Sequence, residues 1–418
     1  MAFGHRGDMP LGRPLACLAL AAAVASHPAV ARAAVARVDI DIARSIGQHA
    51  KTPASMRIQG PGGYRGRIGI ELRGSASGRF AKRSYALETR RRGNAARNVA
   101  LLGMPAENDW ILSAAHGDRT LARDALAYAT ARRLGRWAPR TRYVELYLDS
   151  RYEGVYLLTE QPKLDRARVA VPRSGISGGY LVELSSSPFV GGFPGPLGGR
   201  FYGHKDPKPR QLKTAEAAWI ASYVSAAERA AAARDGSWRA MVDEGAAVDY
   251  LLLQELFKNY DAFSRSTFLA KGTDLPLAFG PVWDLDRAMG LDLTGGAAGA
   301  DGWITPGRPW AVDLLTDAAF ADRLVVRWRE LRAGALLENM IGEIDRNRRA
   351  LRAAQPRNAR RWPSTRSASH AAEIGRLRMW LTDRVRWIDA NIAGLGPAVQ
   401  RSIRFVSGAG GDESIRRR

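Results

Sequence analysis

Hydrophobic periodicity changes once along this chain, and that change limits the folds open to it. Up to about residue 185 apolar residues alternate in short runs bounded by glycine and proline, the pattern of half-buried strands. Arg67–Arg73, Lys82–Glu88, Arg142–Asp149, Tyr152–Glu160 and Gly178–Leu184 read as strands. The third and fourth are joined by the tight turn Asp149-Ser-Arg-Tyr-Glu-Gly154. One helix interrupts them, capped at Asp118 and running to Leu134, with Gly135 after it. Residues 185–212 are rich in Gly, Pro and Ser and read as a mobile loop. From Thr214 onward the period becomes helical, with amphipathic helices expected over 215–232, 237–260, 319–337, 337–354 and 371–392. The expectation is α+β over residues 34–400, a β-rich N-terminal lobe to about 185 and a mainly helical C-terminal lobe from about 214.

The helical half is broken by a segment carrying carboxylates. Phe279-Gly-Pro-Val-Trp-Asp-Leu-Asp-Arg-Ala-Met-Gly290 places Asp284 and Asp286 two residues apart. If Val282–Asp286 is a strand, both aspartates share one face while Trp283 and Leu285 point into the core. Paired hard oxygen ligands suit Mg²⁺ or Mn²⁺, above all when a phosphate completes the shell. The other reading is a turn with solvated aspartates. A third carboxylate, Asp261, ends the apolar run Tyr250–Phe257 and precedes a β-like run, Ser266–Ala270. Phosphoryl transfer needs one carboxylate to position the attacking hydroxyl and a separate one to hold the metal, and Asp261 and Asp284 fit those parts.

In the first half, the loop Gly74-Ser-Ala-Ser-Gly-Arg-Phe-Ala81 joins two strands and is flanked by Arg73, Lys82 and Arg83. Backbone N–H groups, the Ser75 and Ser77 hydroxyls and these cations could cradle phosphate, although plain hairpins share the composition. A β-rich lobe with this hairpin and lysine, followed by a helical lobe with the carboxylates, is the layout of a kinase.

Residues 1–33 have another character. Arg6 and Arg13 precede an apolar run from Leu15 to Ala25 and a small-residue end, Ala31-Arg-Ala33. That order predicts a secretory signal cleaved near Ala33, hence a secreted, periplasmic or cell-envelope protein. Cys17, the only cysteine, lies at the start of the apolar run, so neither lipidation nor a disulfide is expected in the mature chain. Residues 401–418 form a basic tail expected to be disordered. The formal charge is +22, and 8 of the 63 basic residues are lysine. The arginines are scattered, and no zinc-finger, RNP or helix-turn-helix pattern occurs, which argues against a specific nucleic-acid role and leaves an anionic envelope surface as a partner.

Several pieces together resemble the CotH kinases, atypical secreted protein kinases named for a bacterial spore-coat protein. They are Arg73-Gly-Ser-Ala-Ser…Lys82-Arg-Ser-Tyr85, Asn108-Asp-Trp…Asp118-Arg-Thr-Leu-Ala-Arg123, Tyr152-Glu-Gly-Val-Tyr-Leu-Leu-Thr-Glu160, Gly178-Gly-Tyr-Leu-Val-Glu183, Asn259-Tyr-Asp261 and Gly280-Pro-Val-Trp-Asp-Leu-Asp286. The resemblance implies a two-lobed protein-kinase-like fold that transfers phosphate from ATP to Ser or Thr hydroxyls of proteins with Mg²⁺ or Mn²⁺. It implies that Lys82, or Arg83, contacts nucleotide phosphates together with Arg73, Ser75 and Ser77, and that Glu160 lies by the adenine-facing turn between lobes. Asp261 would be the catalytic aspartate and Asp284 the metal ligand, with Asp286 a second. The chain departs from ordinary kinases in carrying Ser266 where they have an asparagine metal ligand, and in lacking Gly-x-Gly-x-x-Gly. No glutamate partner for Lys82 can be assigned. Two other readings remain: a coat or envelope scaffold that keeps the fold and only binds nucleotide or anionic polymer, and a glycan hydrolase using paired carboxylates.

Overall fold

The computed structural model describes residues 35–401 apart from 49, 75–79, 292–297 and 364–368. The segment expected to be a signal, the tail beyond Arg401, and Ser75 and Ser77 lie outside the described residues.

Seven strands of the first half form a closed barrel. They are β1 (Ala36–Ile42), β2 (Thr52–Ile58), β3 (Tyr64–Arg73), β4 (Ser84–Arg90), β7 (Asp109–Ser113), β8 (Thr141–Leu148) and β9 (Arg151–Glu160), in the order β1-β2-β3-β4-β7-β9-β8. A two-stranded ribbon, β5 (Val99–Leu101) and β6 (Met104–Glu107), stands beside it. Alternation along each strand drives the closure. Val38 and Ile40, Ile68 and Ile70, Val144 and Leu146 all turn inward and are at most 1 % exposed. Neighbouring strands pair antiparallel except β1 and β8, whose parallel register begins at Ala36 opposite Val144. No local pattern announces a pairing between segments so far apart, which is why the sequence suggested a β-rich lobe and not a barrel.

The strand assigned to the end of the β-rich half belongs elsewhere. β10 (Tyr180–Ser185) pairs with β13 (Thr267–Lys271) in a second sheet of order β11-β12-β10-β13-β14, with β11 (Phe193–Pro194), β12 (Phe201–Asp206) and β14 (Ala278–Phe279). Two of these strands lie within 185–212, the stretch read as a mobile loop. Its glycines serve close packing: a Cβ on Gly203 would lie 2.6 Å from the Phe189 ring.

Helix α1 (Arg123–Arg133) starts later than its sequence cap suggested, and Asp118 instead organises the turn before it. The Asp118 carboxylate accepts N–H groups of Thr120, Ala122 and Arg123 at 2.9–3.0 Å. Helices α2 (Thr214–Ala233), α3 (Glu244–Phe257), α5 (Ala318–Ala333), α6 (Leu336–Leu351) and α8 (His370–Asn391) follow the predicted pattern. The run 237–260 divides where Asp243 caps α3, accepting the Ala246 N–H at 2.9 Å. Two seven-residue helices, α4 (Pro309–Leu315) and α7 (Gln355–Arg361), are too short to have left a periodic signal.

Helices α1–α6 and α8 share one core with the second sheet, while the barrel encloses a separate one. The fold is thus α+β. No described helix is long and apolar enough to cross a membrane.

Candidate active site

Asp284 is not on a strand. Residues 281–287 have irregular backbone, and Asp284 itself is left-handed at φ +62°. The expected alternation of sides survives without the strand: Trp283 and Leu285 are 8 % and 0 % exposed, while Asp284 is exposed and Asp286 half-buried. Ser266 (φ +50°), Phe263 (φ +58°) and Met289 (φ +56°) adopt the same costly conformation. Non-glycine residues held this way in two facing loops mark a place where geometry is imposed by surrounding contacts.

Those contacts can be traced. The C-terminus of α3 anchors both loops: the Met289 N–H donates to Phe257 O at 2.8 Å, and Asn259 donates to Gln254 Oε1 at 2.8 Å. Helix α1 supplies the rest. Arg123, buried and paired with Asp118, donates to Ala288 O and Met289 O at 2.9 and 3.2 Å. Asp124 Oδ1 accepts the Leu285 N–H at 2.9 Å, and the Tyr128 hydroxyl accepts that of Asp284 at 3.3 Å. Trp283 stacks on Tyr128 at 5.8 Å, and the Arg73 guanidinium lies over the Trp283 ring at 4.8 Å.

Asp261, Ser266, Asp284 and Arg73 are thereby brought together. The Ser266 hydroxyl donates to Asp284 Oδ2 at 3.1 Å. Arg73 and Asp261 both act on the charge of Asp284, the first favouring the carboxylate and the second opposing it. Burial is the largest influence and pushes the Asp284 carboxyl up, yet the side chain remains open to solvent. Asp286 is pushed well up by burial and then by Asp284 and Asp124, and Asp124 by burial and then Asp284, to about 7. Mutually opposed carboxylates of this kind are what a bound cation relieves.

Among the described residues no group of three His, Cys, Asp or Glu side chains could hold a metal ion alone. Mg²⁺ bound through one or two carboxylates, with phosphates and water completing its octahedron, does not require one. The donors present, Asp284 and Asp286, fit that kind of site.

Two residues assigned by sequence face elsewhere. Lys82 is 3 % exposed, and its ammonium donates to Val155 O at 2.5 Å and Asn358 Oδ1 at 3.3 Å, directed at β9 and α7 and not at Asp284. Asn358 Oδ1 also accepts the Val155 N–H at 2.9 Å. Burial lowers the Lys82 ammonium to about 7, with Asp118 opposing. Glu160 is completely buried: Oε2 accepts the Arg140 N–H at 2.8 Å and Oε1 lies 3.5 Å from the Arg140 guanidinium. A ligand at this turn would meet backbone and not the Glu160 carboxylate. Asp124 and Tyr128 were missed. Their signal was present as an acid in a helix's first turn with an aromatic residue four positions on, one face of α1.

A family model described as CotH kinase protein matches residues 70–388. The chain belongs to the CotH kinase family. The match spans β4 through most of α8 and contains every site residue named above. No curated protein matches the chain.

Proposed function

We propose that this CotH-family chain is an exported protein kinase that transfers the γ-phosphate of ATP to Ser or Thr hydroxyls of proteins. The observation that carries the proposal is the approach of Asp261, Ser266, Asp284 and Arg73 to one another from three separated segments. On this reading the barrel and the helical half act as the two lobes of a kinase-like fold, with nucleotide between them.

The chemistry is positioning and charge. Asp261, half-buried and held by its neighbours, accepts the hydrogen bond of the acceptor hydroxyl and takes its proton as the oxygen bonds to the γ-phosphorus; the bond to the β-phosphate oxygen breaks and ADP leaves. Asp284 and Asp286 would hold Mg²⁺ or Mn²⁺, which supplies charge neutralisation of the phosphates. Arg73, at the end of β3, brings a fixed cation to the same side. Ser266 orients Asp284 in place of an asparagine ligand. Export rests on residues 1–33 and places the activity in the secreted or envelope space, where the basic surface would meet anionic polymer.

The test is incorporation of labelled γ-phosphate into a serine-containing protein or into the chain itself with Mg²⁺, wild type against Asp261→Asn. Transfer by the wild type and its loss in the variant support the reading. ATP-dependent stabilisation without transfer would instead favour the scaffold alternative.

A further inference from the structure

The surroundings of Asp261 carry more positive charge than one carboxylate neutralises. Arg265 Nε lies 3.4 Å from Asp261 Oδ1, and its side chain is 58 % exposed against 29 % for the aspartate. A second guanidinium reaches the same loop from the start of α4. Arg308 donates from Nη1 to Ser264 Oγ at 3.3 Å and from Nη2 to Tyr260 O, and lies over the Tyr260 ring at 4.7 Å. Its Nε is buried without a hydrogen-bond partner. Tyr260 itself is 51 % exposed, an aromatic plate beside the aspartate. Arg265 and Arg308 oppose one another's charge, and Asp261 is the carboxylate next to both. A pair of like charges beside an exposed aromatic ring is relieved by an incoming anion.

We propose that Arg265 and Arg308 recognise the acceptor, selecting Ser- or Thr-containing segments in which an Asp or Glu carboxylate flanks the hydroxyl. The inference rests on the kinase reading, and it deepens that reading by naming the substrate class. Both arginines attach to the loop of Asp261, which holds the hydroxyl, whereas the phosphate side of the site has Arg73. A flanking carboxylate would pair with the exposed Arg265 and lie beside the Arg308 guanidinium while Tyr260 supports the peptide chain. A flanking lysine would face two guanidiniums and be rejected by like charge.

Short peptides with a central serine flanked by glutamates, glutamines or lysines test this. Transfer from labelled ATP with Mg²⁺ is measured beside peptide binding by fluorescence anisotropy. The glutamate peptide is expected to exceed the glutamine peptide by about tenfold in kcat/KM, equivalent to about 1.4 kcal/mol, with the lysine peptide last. Arg308→Glu is expected to reverse the order, and Arg265→Glu, at the more exposed position, to reverse or flatten it if Arg308→Glu does not fold. A wild type that favours the lysine peptide or discriminates none, or a folded Arg308→Glu protein that keeps the original order, overturns the inference. If no peptide is phosphorylated and Asp261→Asn equals wild type, the kinase reading fails by itself. Anisotropy then still decides whether these arginines select acidic segments.

Discussion

Replacing Lys82 by Met tests the placement of the lysine that sequence reasoning had put on the nucleotide. The substitution keeps the stem and removes the ammonium, and with it the bonds to Val155 O and Asn358 Oδ1. Hydrogen bonds from a charged donor contribute about 1.5–3 kcal/mol, and an acceptor left buried and unpaired costs about 1–3 kcal/mol more. Against this stands the cost of burying the charge. The ammonium falls from 10.5 to about 7, which at about 1.4 kcal/mol per pH unit amounts to about 5 kcal/mol. The sign follows from proton counting. Between pH 7 and 10.5 the unfolded chain holds the Lys82 proton and the folded one does not, so wild-type stability rises with pH across that window. Lys82→Met has no such term, so the stability of wild type minus variant should climb by about 4 kcal/mol from pH 6 to pH 10, and this difference cancels groups common to both. Urea unfolding at several pH values measures it. A difference that stays flat within about 1 kcal/mol would refute the buried placement. So would loss of Mg²⁺-ATP stabilisation in a variant whose fold is intact, because the ammonium would then be serving the ligand.

Three further outcomes are expected. ATP at 100 times its dissociation constant should stabilise the protein by about 2.7 kcal/mol in the presence of Mg²⁺, and thermal unfolding should show the gain absent in Asp284→Ala. Arg384→Met should destabilise by about 3–5 kcal/mol in denaturant, because Arg384, fully buried, donates to the Glu255 carboxylate at 3.0 Å and to Glu255 O at 2.7 Å, and its loss strands a buried charge. Gly154→Ala should loosen α7 from β9 and speed amide exchange at Val155, since Gly154 has φ +103° and an added Cβ would lie 2.6 Å from Asn358 Oδ1.

Much of this fold could be read locally. Four of the five long helices and strands β3, β4, β8 and β9 follow periodicity within a few residues, because each buries one face and its pattern records which; α3 starts seven residues late, at its Asp243 cap. What escaped was set by distant partners. The barrel closes through β1 and β8, and β10 leaves its sequence neighbours for β13, neither of which has a local trace. At the candidate site, Asp261 and Asp284 stood out because carboxylates near turns are conspicuous; the structure puts the two within electrostatic reach, and Ser266, the residue that had looked like a defect, donates to Asp284. Lys82 and Glu160 were assigned as ligand contacts from the family resemblance, but a buried charge takes whatever partner the fold offers, here Val155, Asn358 and Arg140. Asp124 and Tyr128 were hidden by their role: they hold backbone of the Asp284 loop, and sequence does not show which backbone a side chain will meet.

The parallel seam between β1 and β8 bears on how this protein can be cut. The region shared with the family starts at residue 70, inside β3, so a fragment trimmed to that border would discard β1, β2 and most of β3. Two long ladders, on β4 and β8, would then have bare N–H and C=O groups along one side, inviting other copies to add on. Soluble expression of the family-matched region therefore depends on thirty-odd residues upstream of the border, beginning at Ala36.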